Sequence, residues 1–252
     1  EKPFGFDRKT AQEYDAILKS EFSDEEMYRV DHYLGKEFVQ NLLIMRFYND
    51  IIRRAWSRET IDHIQVIMNE TAGVDTRLGF YERIGVVRDM VQNHVLQVIT
   101  HLAMREPAAF TAEDIAREKL AVLRSIRAVD TAVLGQYEGL GQDVGRKLDT
   151  PTFVALKLSV DNDLFADVPI YVKTGKKQHC KCSFIYVRFK GPAHAPYGKD
   201  DVMDNEMIIS IQPEMSIDVT LNVKRPHSNW EVEPIRLNFN HAQTFKVRSE
   251  EH

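Results

Sequence analysis

Apolar residues recur every three to four positions through the first half of the chain and every second position through most of the rest, which predicts helices first and strands afterwards. Thr10 to Phe22 reads as a helix with Tyr14, Ile17 and Leu18 turned inward. Behind it, Ser23-Asp24-Glu25-Glu26 has capping-box spacing, in which a serine and a glutamate satisfy each other's free backbone donors. Glu37 to Phe47 places Val39, Leu42, Leu43 and Phe47 on one face, and Ile64 to Met68 is a strand-like run. The strongest pattern spans Phe80 to Ala103, where Phe80, Ile84, Val87, Val91, Val95, Val98 and Leu102 keep the helical period of about 3.6 residues and predict one long helix. A further helix, Ala112 to Ile126, begins behind Thr111.

From Thr131 onward the period becomes 2. Val154, Leu156, Leu158 and Val160 alternate with Phe153, Ala155, Lys157 and Ser159. Ile185, Val187 and Phe189 do the same, as do Met207, Ile209 and Ile211, then Ile217, Val219, Leu221 and Val223, then Ile235, Leu237 and Phe239. This order predicts an α+β fold, a large and mostly antiparallel sheet covered by helices on one face. Gly191 to Lys199, with Pro192, Pro196 and Gly198, reads as a loop.

A chain of 252 residues with 43% hydrophobic content supports a full core, in one large domain or two small ones. Its longest apolar runs, such as Leu42-Leu43-Ile44-Met45, fall far short of the roughly 18–20 residues of a membrane span, and no basic-then-apolar leader opens the chain. It reads as soluble and cytoplasmic, without a membrane partner; the start at Glu1-Lys2-Pro3, lacking an initiator Met, reads as part of a longer protein. A net charge of -5 argues against broad nucleic-acid binding, so any anion site is local. Cys180 and Cys182, two apart in a predicted strand, point to one side and read as reduced thiols rather than as a strained disulfide. His179 adjoins them, but no second Cys or His pair at ligand spacing follows, and no metal site is predicted.

The chemistry concentrates in Arg29-Val30-Asp31-His32-Tyr33-Leu34-Gly35-Lys36-Glu37, which sets an acid, an imidazole, a phenol and a lysine around one glycine ahead of an apolar helix. That is the equipment of an anion site next to a proton-transfer site. A dianionic phosphate needs several donors and positive charge, and a helix starting near Gly35 adds free backbone N–H groups. His94 lies within the long apolar stripe. Imidazole, with an unperturbed pKa of about 6.5, suits a general base, although a core histidine is the commoner reading of such a position.

Arg29 to Glu37 resembles, almost letter for letter, the Arg-(Ile/Val)-Asp-His-Tyr-Leu-Gly-Lys-Glu motif of the glucose-6-phosphate dehydrogenase family. Arg88-Asp89-Met90-Val91-Gln92-Asn93-His94 resembles its Arg-Asp-x-x-Gln-Asn-His motif, and Glu1-Lys2-Pro3-Phe4-Gly5 its Glu-Lys-Pro-Phe-Gly segment. The resemblance continues at Val133-Leu134-Gly135-Gln136-Tyr137 and at Gly175-Lys176, and on that basis the whole of residues 1–252 is expected to be a truncated C-terminal domain of the family. It implies that His94 is the catalytic base and that Asp31 orients it. His32, Tyr33 and Lys36 would bind phosphate; Glu70, Asp89 and Lys176 would position the sugar, and Lys2 would approach both substrate and coenzyme. Lys181 stands where the family usually has an arginine, which loses a bidentate fork for phosphate but keeps the charge. Gln212, in Gln212-Pro213, matches a glutamine on the substrate side. On an ideal helix Asp89 and His94 point about 140° apart, which predicts a π-type distortion or a sugar spanning more than one side of the helix.

The implied reaction oxidises β-D-glucose 6-phosphate at C1 to 6-phospho-D-glucono-1,5-lactone with hydride transfer to NADP or NAD, the first step of the pentose phosphate pathway. The family's glycine-rich Rossmann domain is not found here, and Gly139-Leu140-Gly141-Gln142-Asp143-Val144-Gly145 reads as a loop with the wrong glycine spacing. The coenzyme is therefore expected to be held mainly by that domain, and the isolated chain to turn over negligibly. A homodimer or homotetramer joined through the sheet is expected. The rivals are a noncatalytic sugar-phosphate-binding or oligomerisation module and a broader hexose-6-phosphate dehydrogenase.

Overall fold

A computed structural model describes residues 4–28, 30–74, 78–143, 145–191 and 202–246. Helix α1 (Arg8–Glu21) begins where Asp7 caps it: the Asp7 carboxylate accepts the Thr10 N–H at 2.8 Å, and the Thr10 hydroxyl accepts the Asp7 N–H at 3.1 Å. The helix forms as predicted, but its apolar face is not covered. None of its residues is buried, and Ile17 is 63% exposed. Periodicity reports that a helix has an apolar face, not that a neighbour lies on it. The capping box closes a single 3-10 turn, Asp24–Glu26, with the Ser23 N–H donating to Glu26 Oε2 at 2.9 Å.

Helices α2 (Glu37–Tyr48) and α3 (Asp50–Ala55) precede β1 (Ile61–Asn69), and α2 buries Val39, Leu42 and Leu43. The predicted long helix is three pieces: α4 (Leu78–Val86), a π-helical segment (Val87–Val95) and α5 (Leu96–Ala103). The break is Gly85, whose φ of 67° and ψ of 172° suit glycine alone, and whose missing Cβ would lie 3.0 Å from Thr150 Cγ2. The break rotates the stripe, so Val86 is buried and Val87, predicted inward, is 37% exposed. Beyond it Val91, Val95, Val98 and Leu102 are buried as predicted. The free carbonyls at the end of α5 are satisfied from α2 and α3: the buried Arg46 guanidinium donates to the carbonyls of His101 and Met104, and Trp56 Nε1–H donates to Leu102 O at 2.8 Å.

Helix α6 (Ala112–Ser125), capped by the Thr111 hydroxyl on the Asp114 N–H, runs straight into β2 (Ile126–Gly135), earlier than the predicted change of period. A short α7 (Leu140–Asp143) occupies the segment read as a loop. Then come β3 (Phe153–Val160), β4 (Ile170–Gly175), β5 (Cys182–Phe189), β6 (Glu206–Gln212), β7 (Ser216–Lys224), β8 (Val232–Asn240) and α8 (His241–Phe245). Apart from Gly191, the predicted loop up to Lys199 lies outside the described residues.

The strands form one eight-stranded sheet in the order β2-β3-β4-β1-β5-β6-β7-β8. Among the described residues only β1 and β4 pair in parallel, with Asn69 opposite Gly175. The predicted alternation holds through the centre, burying Ile185 and Val187 of β5 and Met207, Ile209 and Ile211 of β6, and the strand-like run of β1 alternates too, burying Ile64, Val66 and Met68. Each such side chain contributes about 1.5–3 kcal/mol when fully buried, and a one-residue slip would expose the set, which fixes the register. The helical core and this face form one apolar cluster. Towards β7 and β8 the cover thins; Leu221 and Leu237, predicted inward, are exposed, Leu237 by 51%.

Candidate active site

The chain turns tightly ahead of α2, with the Leu34 N–H donating to Asp31 O at 3.0 Å and the Tyr33 N–H to Asp31 Oδ1 at 2.8 Å. This turn aims the Asp31 carboxylate at His94, whose Nδ1 lies 2.9 Å from Oδ1 and 3.0 Å from Oδ2. The His94 ring is 4% exposed and packs against the rings of His32 and Tyr33, at 4.3 and 4.7 Å between centroids. Burial works against ionisation of Asp31, but the hydrogen bond and charge of His94 and the Tyr33 N–H outweigh it and hold the carboxyl below its usual range. An ionised carboxylate only accepts, so Nδ1 carries a hydrogen, and a neutral imidazole held this way has its lone pair at Nε2.

The π-helical segment explains how His94 reaches this position. Its wider turn brings residues five apart towards the same side, which relieves the opposition of Asp89 and His94 on a regular helix. Asp89 is half-buried, and its charge acts with that of Glu70 on the Tyr81 hydroxyl, which burial pushes far above its ordinary value.

At one end of the site Lys36 Nζ sits 4.6 Å above the Tyr33 ring. Burial, with the neighbouring charge of Lys181, pushes the Lys36 ammonium down to about 8. The Tyr33 hydroxyl shares a hydrogen bond of 3.1 Å with Ser183 of β5, and burial raises its pKa despite that bond. Ser183 lies opposite Gln212 at the end of β6, which brings Gln212 to the same corner. His32 is exposed, 5.0 Å from the Tyr33 ring, and no side chain caps the start of α2.

At the other end the parallel strands β1 and β4 stop side by side, and the Glu70 N–H donates to Gly175 O at 3.0 Å. Their next residues form an ion pair, Lys176 Nζ to Glu70 Oε2 at 2.7 Å, with Lys176 buried and its ammonium 5.2 Å from the Tyr81 ring centre. Gly175 has no room for a side chain, since a Cβ would meet Phe153 Cδ2 at 2.8 Å. Glu70 and Asp31 both act electrostatically on Tyr33, so the two ends form one site.

Asp31, His32, Tyr33, Lys36, Glu70, Asp89, His94, Lys176, Lys181 and Gln212 are thus placed around one corner of the sheet; Lys2 lies outside the described residues. Sequence reasoning passed over Tyr81, Ser183 and Lys119 of α6. Burial lowers the Lys119 ammonium and the charge of Asp31 raises it, which puts the two near each other. Tyr81 follows Phe80 in an apolar run and Ser183 sits in a strand alternation, so neither carries a signal of its own. Among the described residues no His, Cys, Asp and Glu group is arranged to hold a metal, and no helix is long and apolar enough to cross a membrane.

The α+β domain thus sets a carboxylate-oriented histidine between the cationic Lys36 and the Lys176–Glu70 ion pair, the groups that proton transfer beside an anion requires. Residues 43–252 match the family model described as glucose-6-phosphate dehydrogenase, C-terminal domain, and residues 1–41 match the model described as its NAD binding domain. The chain belongs to the glucose-6-phosphate dehydrogenase family. It is 35% identical to the glucose-6-phosphate 1-dehydrogenase of Borreliella burgdorferi over 98% of this chain and 55% of that protein. To the enzyme of Bacillus subtilis it is 37% identical over 95% of this chain and 53% of that protein. A solved glucose-6-phosphate dehydrogenase in complex with glucose 6-phosphate superimposes with a TM-score of 0.92 at 35% identity, over 98% of this chain and 53% of that one. That from Mycobacterium avium gives 0.86 at 31% identity, over 95% and 54%. The chain spans about half the length of the relatives it matches.

Proposed function

We propose that this chain carries the substrate-binding and catalytic-base part of an enzyme that oxidises β-D-glucose 6-phosphate at C1 to 6-phospho-D-glucono-1,5-lactone. The observation that carries the reading is the His94–Asp31 pair at 2.9 Å, set between Lys36 and the Lys176–Glu70 pair. His94 Nε2 takes the proton of the C1 hydroxyl as the C1–H bond breaks, and Asp31 stabilises the imidazolium that forms. Lys36, Lys181, His32 and the Tyr33 hydroxyl hold the phosphate, with the open first turn of α2 adding backbone donors. Glu70 and Asp89 accept from sugar hydroxyls, and Lys176 fixes Glu70 for that task.

NADP or NAD, when bound, supplies the hydride acceptor at C1. Of this chain only Lys2 is assigned to reach it. The uncovered face of α1, with Phe6, Tyr14 and Ile17 exposed in the stretch that matches the NAD binding domain model, fits a chain that packs against the remainder of such a domain. The exposed Leu221 and Leu237 at the β7–β8 end suit a homo-oligomer joined through the sheet.

The test is initial-rate reduction of NADP and of NAD by the full-length protein with glucose 6-phosphate, galactose 6-phosphate and glucose. Reduction that depends on glucose 6-phosphate supports the reading. Binding of glucose 6-phosphate without reduction of either coenzyme removes the catalytic assignment, and equal rates with galactose 6-phosphate replace it with a broader hexose-6-phosphate dehydrogenase.

A further inference from the structure

Two nucleophiles beside the site take no part in the proposed reaction. Cys180 is exposed in the bend ahead of β5, Cys182 is the half-buried first residue of that strand, and both are free thiols. Their sulfurs stand 2.8 Å apart, closer than the roughly 3.5–4.0 Å of ordinary carbon contacts although sulfur is the larger atom. The side chains are thus already turned towards each other, as a disulfide requires. Residues two apart are at most about 7 Å apart at Cα, at or inside the upper end of the range that a disulfide spans.

What the pair encloses gives it a consequence. Lys181 lies between the two cysteines, and its charge acts on Lys36. Ser183 follows Cys182 and shares the hydrogen bond with the Tyr33 hydroxyl. On the other side Asn69, opposite Cys182 in the ladder, donates its amide to Cys182 Sγ at 3.7 Å and is followed directly by Glu70. Groups from both ends of the site therefore adjoin the thiols.

We propose that Cys180 and Cys182 form a redox-active dithiol, a site of exchange with small-molecule disulfides, whose closure clamps the two residues that flank the exposed Lys181, turns its ammonium away from Lys36 and weakens phosphate binding. Burial, then the hydrogen bond and charge of Cys180, push the Cys182 thiol up to about 11, so the exposed Cys180 is the attacking sulfur. Its thiolate attacks one sulfur of a disulfide R–S–S–R, forming a mixed disulfide at Cys180 and expelling one thiolate R–S⁻. Cys182 loses its proton to solvent and attacks Cys180 Sγ, expelling the second R–S⁻. Two protein thiols are oxidised and one small disulfide is reduced to two thiols. The weakened phosphate binding rests on the role proposed for Lys181; the thiol chemistry does not.

The test treats the full-length protein with oxidised glutathione, alkylates the remaining thiols and reads the Cys180–Cys182 peptide by mass spectrometry, with the KM for glucose 6-phosphate measured in parallel. The expected result is a peptide two hydrogens lighter without adducts, and a KM raised about tenfold that dithiothreitol restores, the size expected for one lost charge-assisted contact. Cys182→Ser should stop at a glutathione adduct on Cys180, and Cys180→Ser/Cys182→Ser should keep the reduced KM at every oxidant concentration. Both cysteines alkylated in full after the oxidant overturns the dithiol. A disulfide that leaves KM unchanged overturns its coupling to the pocket. A reduced protein without affinity for glucose 6-phosphate refutes the proposed function, and the peptide mass still decides the dithiol.

Discussion

Replacing Asp31 by Asn keeps the size of the side chain and removes the charge that faces His94 Nδ1 at 2.9 and 3.0 Å. The pair is buried, at 5% and 9% side-chain exposure, so water is a poor substitute for the carboxylate. A charge-assisted hydrogen bond of this kind contributes about 1.5–3 kcal/mol, which, at about 1.4 kcal/mol per tenfold, lowers kcat by roughly 10- to 150-fold through the imidazolium alone. The amide adds a second fault. With its NH₂ towards Nδ1 it selects the tautomer whose hydrogen sits on Nε2, the nitrogen that must accept the substrate proton, and in acid–histidine pairs elsewhere that error brings losses of up to about 10⁴. The expected outcome is a kcat about 10²- to 10⁴-fold lower with KM for glucose 6-phosphate within a few-fold of wild type. Steady-state kinetics on the full-length variant read it, with thermal unfolding as a check on the fold. A folded Asp31→Asn enzyme within threefold of the wild-type kcat would refute the orienting role.

Three further outcomes follow from the same geometry. Lys36, pushed down to about 8 in the free protein, should be raised by a bound dianionic phosphate, so affinity for glucose 6-phosphate should hold just below pH 8 and fall by up to about tenfold per pH unit above it; Lys36→Arg should flatten that fall, as calorimetry across pH will read. Gly85→Ala, at a φ of 67° and ψ of 172° that only glycine occupies comfortably, should destabilise the protein by about 1–3 kcal/mol in urea and lower kcat by turning the segment that carries His94; an unchanged midpoint would contradict the strain argument. Burial pushes the His101 imidazole down to about 4, so the unfolded chain takes up its proton first as pH falls. The contribution of this group is complete above about pH 6.5 and is lost progressively towards pH 4, about 3 kcal/mol in all, a slope that His101→Gln should remove from urea titrations over that range.

Much of the fold was legible because burial leaves a period. The alternation of Ile185 and Val187, or of Met207, Ile209 and Ile211, identifies strands with one covered face, and the Thr111 cap marks the start of α6. Period does not say which strands are neighbours, so the parallel β1–β4 pair that brings Glu70 to Lys176 was invisible. Nor does it register a break that preserves the apolar stripe on its far side, and Gly85 falls inside the predicted helix. The spacing of Asp89 and His94 did call for a distortion, because two polar groups meant for one ligand cannot face opposite ways on a regular helix; the π-helical segment supplies it. The pairing of Asp31 with His94 came from resemblance to the family, since nothing local to either residue points at the other. Tyr81 and Ser183 act through positions that only the packed helices and sheet create.

The proposed mechanism rests most on His94 as the base of a site that still binds its substrate without it. The direct measurement is His94→Asn in the full-length protein, with kcat from initial-rate reduction of the preferred coenzyme and Kd for glucose 6-phosphate from calorimetry. The expected result is a kcat lower by about 10²- to 10⁴-fold, the range of a lost general base, with Kd within about threefold of wild type. A folded variant that keeps its kcat, or one whose binding falls in step with its rate, would contradict it.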